Sequence, residues 1–272
     1  MPLERMMLLA GSGLYLAAAL VAVVGALSGR PWGRRQVPAL VLVALALVVY
    51  GVGILLRWDR LGHGPYTNMF EALISSIWSL HAAVLAGVLW LSWLRPVLAA
   101  TLPVLQVQVL WSLVVPSEDG VLPVTYDTVW LPIHVWLGKV FLGLVVLALG
   151  GCLVILARRL LGSGVFPSLP SSAVLEETAG RLVLVGFVFQ SLMLVAGAIW
   201  AQDAWGRYWD WDPLETWAFL NWVLVGVYLH LRFTVSLRPE WSAILVVMVF
   251  VLAFVAFFGM PFVSAMPHKG MI

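Results

Sequence analysis

The sequence predicts an all-α, polytopic membrane bundle of about eight transmembrane helices, with both termini on the outer side. Three observations carry that reading. First, 62% of the 272 residues are hydrophobic and only 10% are charged, against about 25% charged in soluble domains, and the mean hydropathy is +1.02. Such a chain takes lipid as its solvent. Second, the apolar residues fall in runs of the length that crosses a hydrocarbon core, about 20 residues for about 30 Å, whereas a membrane β-barrel would show alternating ten-residue segments. Third, the basic residues divide unevenly between alternate connections.

In chain order the runs cover about 6–27, 37–56, 69–93, 97–115, 134–157, 180–201, 214–235 and 241–260. The first reads as a retained span rather than a signal peptide, because it lacks a basic start, exceeds a typical h-region, and is followed by Arg30, Arg34 and Arg35. The connections after spans 1, 3, 5 and 7 hold Arg30, Arg34, Arg35, Arg95, Arg158, Arg159, Arg181, Arg232 and Arg238, nine cations. The opposite side holds six: Arg5, Arg57, Arg60, Lys139, Arg207 and Lys269. The positive-inside rule makes the first set cytoplasmic and sends both termini outside. The connections at 57–68, 116–133 and 202–213 and the tail from Pro261 are then outer and short, so residues 1–272 read as a single membrane domain. The inner connection 158–179 is rich in Gly, Ser and Pro. The lone Cys152 lies in an apolar run, with no disulfide or Cys-x-x-Cys motif, and packing is its expected role.

One segment breaks the hydrocarbon pattern. Residues 200–217 hold five of the fifteen tryptophans (Trp200, Trp205, Trp209, Trp211 and Trp217) together with Asp203, Asp210, Asp212 and Glu215. An aromatic belt that anchors helix ends scatters one or two aromatics at each. This density instead offers flat faces to a planar ligand. Asp212-Pro213-Leu214-Glu215 also reads as a helix start, with Asp212 as N-cap, Pro213 at the first helical position and Glu215 closing a capping box. Gly206 permits a tight turn and close approach of a flat ligand. Arg207, the loop's single cation, suits an anionic group such as a propionate or else pairs with Asp203 or Asp210. Asp203 and Asp210 are also placed to orient indole N–H groups or a histidine's second nitrogen.

Imidazole is costly in lipid and usually functional there. His134 opens span 5 after Pro132, and His268 follows the last span, both on the outer side. They would flank the tryptophan segment and place two neutral imidazoles on opposite faces of a porphyrin iron. His230 stands about sixteen residues into span 7, roughly 24 Å from its outer end, near Arg232. A lone inner ligand implies a partner that supplies the other, while the plainer alternative is a polar residue snorkelling to the inner surface. His63 and His81 show no partner and read as structural. Residues 64–71, Gly-Pro-Tyr-Thr-Asn-Met-Phe-Glu, read as a capped helix start with Thr67 or Asn68 as cap, and Glu71 is open to a proton or cation role.

The run Trp-Gly-Arg-Tyr-Trp-Asp-Trp-Asp-Pro-Leu-Glu-Thr-Trp at 205–217 resembles the signature of the tryptophan-rich, haem-handling superfamily of cytochrome c maturation. Its ending Asp-Pro-Leu-Glu-Thr-Trp is similar to the CcsA (ResC) family of cytochrome c-type biogenesis proteins. Pro-Tyr-Thr-Asn-Met-Phe-Glu-Ala-Leu at 65–73 and the terminal Pro267-His268 are similar to further stretches of that family. The tail departs from it, reading Ser-Ala-Met-Pro-His-Lys-Gly-Met-Ile where a Leu-His-Ser-Tyr-like ending is expected.

The resemblance implies that His134 and His268 ligate haem b iron at the outer tryptophan-rich site and that His230 holds haem within the membrane with a histidine of a CcsB (ResB)-like partner. It implies Trp200, Trp205, Gly206, Arg207, Trp209, Trp211, Asp212 and Trp217 as the haem-binding surface. The expected function is a haem-transporting subunit of a two-component cytochrome c synthase, which presents haem for thioether attachment to Cys-x-x-Cys-His of apocytochrome c. With no fused partner region, the chain would be half of that synthase. The alternative is a non-catalytic haem transporter resembling CcmC, although eight spans and the Glu-Thr ending argue against it. A structural subunit with a dense aromatic belt and a quinol-oxidising haem protein are weaker readings. No nucleic-acid partner is expected, no residue reads as a general base, and a bacterial plasma membrane or a thylakoid membrane would suit the chain.

Overall fold

Helices begin and end where the sequence supplies caps and breakers, and packing small residues inward assembles them. The computed structural model describes residues 1–27, 36–162, 164–167, 169–235 and 237–259, with eight α-helices in that range. They are α1 Leu3–Leu27, α2 Gln36–Leu61, α3 Met69–Trp90, α4 Leu98–Ser112, α5 Trp130–Leu161, α6 Ser172–Trp205, α7 Pro213–Val235 and α8 Pro239–Phe254. No strand occurs among the described residues. Seven of the helices are long and apolar enough to cross a membrane, α8 together with the turn that continues it to Gly259. The fourth expected span is shorter than predicted. A 3-10 helix, Ser92–Val97, precedes it, and α4 itself runs from Leu98 only to Ser112, 15 residues, about 22 Å at 1.5 Å per residue.

The helices α1 to α4 pack among themselves, as do α5 to α8, and α5 joins the groups through contacts with α3 and α4. The outward and inward faces of α2 show why. Its large aliphatics Val41, Leu45, Val48, Val52 and Leu55 are exposed, and Ala39, Val43, Ala46, Tyr50 and Gly53 are buried. Both sets follow the helical repeat. Lipid tails are as apolar as leucine, so helices associate through close packing of small residues rather than by hiding large ones. At the crossing of α3 and α5, a Cβ on Gly143 would stand 2.7 Å from the Ala83 methyl carbon, and only glycine allows that approach. The central helix α5 has 72% of its most apolar window buried, against 28% for α2 and 22% for α7.

Two boundaries differ from expectation in ways that matter for the site. Helix α5 starts at Trp130, so His134 lies in its second turn rather than opening it. Helix α6 runs to Trp205, where Gly206 ends it at φ 77° with its N–H bonded to Gln202 O, the left-handed C-terminal cap. Trp200 and Trp205 therefore stand on the last turns of a rigid helix, and the true loop is only 206–212. At the other end of the bundle the 162–171 connection is held by Arg158, which donates to the carbonyls of Val165, Phe166, Leu169 and Pro170.

Candidate functional site: a tryptophan-lined cavity

At the tryptophan end of the bundle, helices α3, α5, α6 and α7, the adjoining loops and the residues after α8 line a partly open cavity of about 200 Å³. Its wall is mostly apolar. Trp200, Trp205 and Trp209 line it with Leu131, Val135, Met193, Leu194, Leu214, Phe257 and Phe258, and the polar lining includes Tyr66, Ser75, Ser76, His134, Lys139, Tyr208 and Glu215. The indoles pack on one another. Trp200 meets Trp205 with ring centroids 4.9 Å apart and Tyr126 at 5.1 Å in a T-shaped contact. Trp209 meets Trp211 at 5.6 Å. Residues 255–259 form a single π-helical turn at the end of α8, which sets Ala256, Phe257 and Phe258 on the cavity. π-Turns recur at functional sites because they re-aim side chains that a regular helix would bury elsewhere.

His134 is the best-defined polar group of the wall. Its Nδ1 lies 2.8 Å from the Met193 carbonyl of α6. A carbonyl only accepts, so Nδ1 carries the proton and the neutral ring's lone pair is on Nε2. That arrangement is the one by which metal-ligating histidines are held and tuned. The ring lies at 22° to Trp200, with centroids 6.3 Å apart. Gly197 makes this possible, since a Cβ there would stand 2.6 Å from His134 Nδ1. The Trp209 indole N–H is buried with no hydrogen-bond partner among the described residues, an unmet donor in the cavity wall.

The remaining predicted residues are placed as follows. Arg207 is exposed, ion-paired with Asp210, and does not line the cavity. Trp211 is exposed and takes φ 59°, a left-handed conformation rare for a bulky residue. Asp212 accepts from Glu215 N at 2.8 Å as the expected helix cap. The Glu215 carboxylate reaches back to accept from Asp210 N at 2.8 Å. Gly206 and Trp217 are not among the residues that line the cavity. His230 is exposed on α7, 17 residues from Pro213, far from His134. His268 lies outside the described residues.

Glu71 resolves differently. It is fully buried and ion-paired with Arg57 at 3.0 Å, and it also accepts from Thr67 N and Oγ1. Asn68 is the cap of α3, accepting from Glu71 N at 2.9 Å. His63 bonds to Gly64 O and Gly120 O. His81 is buried deep in the α1–α4 half, stacked on Tyr15 at 3.8 Å. Sequence reasoning missed Lys139, Ser75, Ser76 and Tyr66 as cavity residues. For Lys139 the signal was present, a lone cation inside an apolar run five residues past His134.

The sequence profile of the cytochrome c assembly proteins matches residues 65–268, a stretch that spans every cavity-lining element. The chain is 30% identical over 240 residues to the cytochrome c biogenesis protein CcsA of Atropa belladonna, with 75% of each chain covered. It is 28% identical over 245 residues to CcsA of Prochlorococcus marinus subsp. pastoris, covering 78% of this chain and 76% of that one. The chain belongs to the CcsA family. Membership gives it a role in cytochrome c maturation, and its membrane-length helices make it an integral membrane protein. A stretch of 85 residues is 45% identical to CcsA of Daucus carota, covering 31% of this chain and 26% of that one. The fold is similar to the solved structure of the cytochrome c heme lyase CcmF, with a TM-score of 0.69 at 18% identity. That match covers 95% of this chain and 47% of the other, so the chain spans about half the length of that structure.

Proposed function

We propose that this CcsA-family chain binds haem in the tryptophan-lined cavity and presents it for covalent attachment to apocytochrome c, as the haem-carrying subunit of a two-component synthase. The observation that carries the reading is His134, with Nδ1 committed to Met193 O at 2.8 Å and its ring beside Trp200 on the cavity wall. Among the described residues no three His, Cys, Asp or Glu side chains gather as a metal site. A protein that offers one or two imidazoles suits an iron whose other four ligands come from a porphyrin. Indoles packed edge to face, a glycine that clears the histidine and a Trp209 N–H with no partner among the described residues fit such a planar guest.

Haem is the substrate here, and its chemistry is its own. Each cysteine S–H adds across a vinyl C=C, with sulfur bonding to one carbon and hydrogen to the other, and no net oxidation. The chain's contribution is positioning. His134 fixes the iron, the indoles of Trp200, Trp205 and Trp209 confine the ring, and the apolar lining excludes water. His268, which lies outside the described residues, would supply a second imidazole to the iron. His230, exposed near the end of α7 away from the tryptophan loop, meets a histidine of a CcsB-like partner at an earlier haem site, from which haem passes to the cavity. In this reading the tryptophan end faces outward.

The test is the absorption spectrum and pyridine hemochrome of the detergent-purified chain, alone and with a CcsB-like partner. Bound b-type haem that is lost in His134→Ala and restored by added imidazole supports the reading. Haem indifferent to His134 overturns it.

A further inference from the structure

Lys139 has no role in the reading above. It lies on α5 five residues beyond His134, about 7.5 Å further along the axis, and lines the same cavity. Only one other charged side chain lines that cavity among the described residues, Glu215, which stands at the loop side and accepts from Asp210 N. Lys139 makes no hydrogen bond or ion pair among the described residues. An ammonium at membrane depth is costly and is normally paired, or else snorkels to the interface. Lys139 does neither. It lines a mostly apolar cavity to which Ser75 and Ser76 of α3 also contribute.

We propose that Lys139 is the carboxylate-binding group of the cavity and sets the orientation of the porphyrin, pairing with a propionate at the deep end. This rests on the haem reading. The geometry follows from the ligand's own layout. Protoporphyrin carries its two propionates along one edge and its vinyls toward the opposite side, and its iron is separated from those carboxylates by about the rise between His134 and Lys139. A propionate drawn to Lys139 turns the vinyl edge toward the tryptophan loop and the surface, where cysteine thiols can reach it. The opposite orientation would bury the vinyls beside a lysine and leave the cation unpaired. Arg207, the other candidate for a propionate, is exposed and already paired with Asp210, which leaves Lys139 as the cation inside the chamber.

The test titrates the detergent-purified full chain with iron protoporphyrin IX and with its dimethyl ester, whose propionates carry no charge, following the Soret band. The expected result is binding of the free acid at least tenfold tighter by wild type. Lys139→Met should bind both forms alike, at the ester's level, and Lys139→Arg should keep the preference. The propionate bending band in resonance Raman should shift in Lys139→Met and not in Lys139→Arg. Equal binding of the two porphyrins by wild type overturns the proposal without any mutation, as does a Lys139→Met variant that keeps the full preference. If wild type binds neither porphyrin, the haem reading itself fails. If both bind and His134→Ala abolishes both, haem binding stands and Lys139 is judged on the ester alone.

Discussion

The charged cluster around Arg57 and Glu71 and the cavity around His134 occupy the same end of the bundle and share a loop. Residues 63, 67 and 68 serve the first, and Tyr66 lines the second. They differ in whether polar groups find partners inside the protein. Arg57 reaches both Glu71 and the Glu118 carbonyl, Glu71 is met by Arg57 and twice by Thr67, and Arg60 bridges Glu4 and Asp119. This network ties the starts of α1 and α3 and the end of α2 to the 116–129 segment. The cavity instead leaves Trp209 N–H and Lys139 without a partner among the described residues. A polar group satisfied within the fold holds the fold, and one left unsatisfied in a cavity is waiting for something else. Both regions were conspicuous in the sequence as breaks in the hydrocarbon, and only the pairing tells them apart.

The comparison breaks most visibly at its closed half. Removing one member of the Arg57–Glu71 pair, whose side chains are 3% and 0% exposed, strands a buried charge, at a cost of about 3–5 kcal/mol. Arg57→Ala and Glu71→Ala are each expected to lower the denaturation temperature of the purified chain strongly, with haem lost only because the structure is. A haem-loaded Glu71→Ala of wild-type stability would show that the cluster is not what holds this end together.

The open half should behave the other way. His134→Ala removes a half-buried ring from a cavity wall, so thermal stability should change little. Haem retention should fall by more than the 10–100-fold that disturbing a ligand's support alone typically causes. Imidazole in the buffer should restore it. A variant that loses stability and haem in parallel would reassign His134 to the structural set.

Gly197→Ala sharpens the same contrast without touching the ligand. The added methyl would stand 2.6 Å from His134 Nδ1 and 2.8 Å from Cε1, so the ring must leave the Met193 carbonyl or α6 must shift. Alanine is also the better helix former, so the helix itself does not suffer. Haem affinity should drop roughly 10–100-fold, with the Soret position altered and stability nearly kept. Unchanged spectra would mean that the hydrogen bond to Met193 does not position the imidazole.

The sequence made some of this legible and hid the rest for physical reasons. Apolar runs reveal spans because lipid imposes both length and composition, so the helices were found in order. Their ends were not, because a tryptophan at a membrane surface suits loop and helix equally. Trp205 thus read as loop although it closes α6. His134 was legible as an imidazole among hydrocarbon. Lys139 was passed over as a charge of the outer surface, since span 5 was taken to start at 134 and the side of the helix it occupies depends on packing by α3 and α8. Glu71 shows the converse. Its cap was visible three residues away in Asn68, but its partner Arg57 lies 14 residues back across a loop, and no local pattern links them.

The smallest expected effect tests the rim of the closed cluster against its centre. Asp119 receives hydrogen bonds from Arg60 that hold its carboxyl below the ordinary 3.8. Because the folded value lies below the unfolded one, ionised Asp119 contributes its full stabilisation above about pH 4. That contribution fades as the pH falls through the lowered folded value. The side chains of Asp119 and Arg60 are 54% and 42% exposed, so solvent screens the pair and its worth is under about 1 kcal/mol. Asp119→Asn should therefore lower the denaturation temperature slightly at pH 7 and converge with wild type in acid. The difference should also shrink as salt is raised. An effect as large as that of Glu71→Ala would mean that the network acts as one unit from rim to core. A small, salt-sensitive one assigns the structural work to the buried Arg57–Glu71 pair, and with it the distinction between charges that hold this end of the bundle and groups that face its guest.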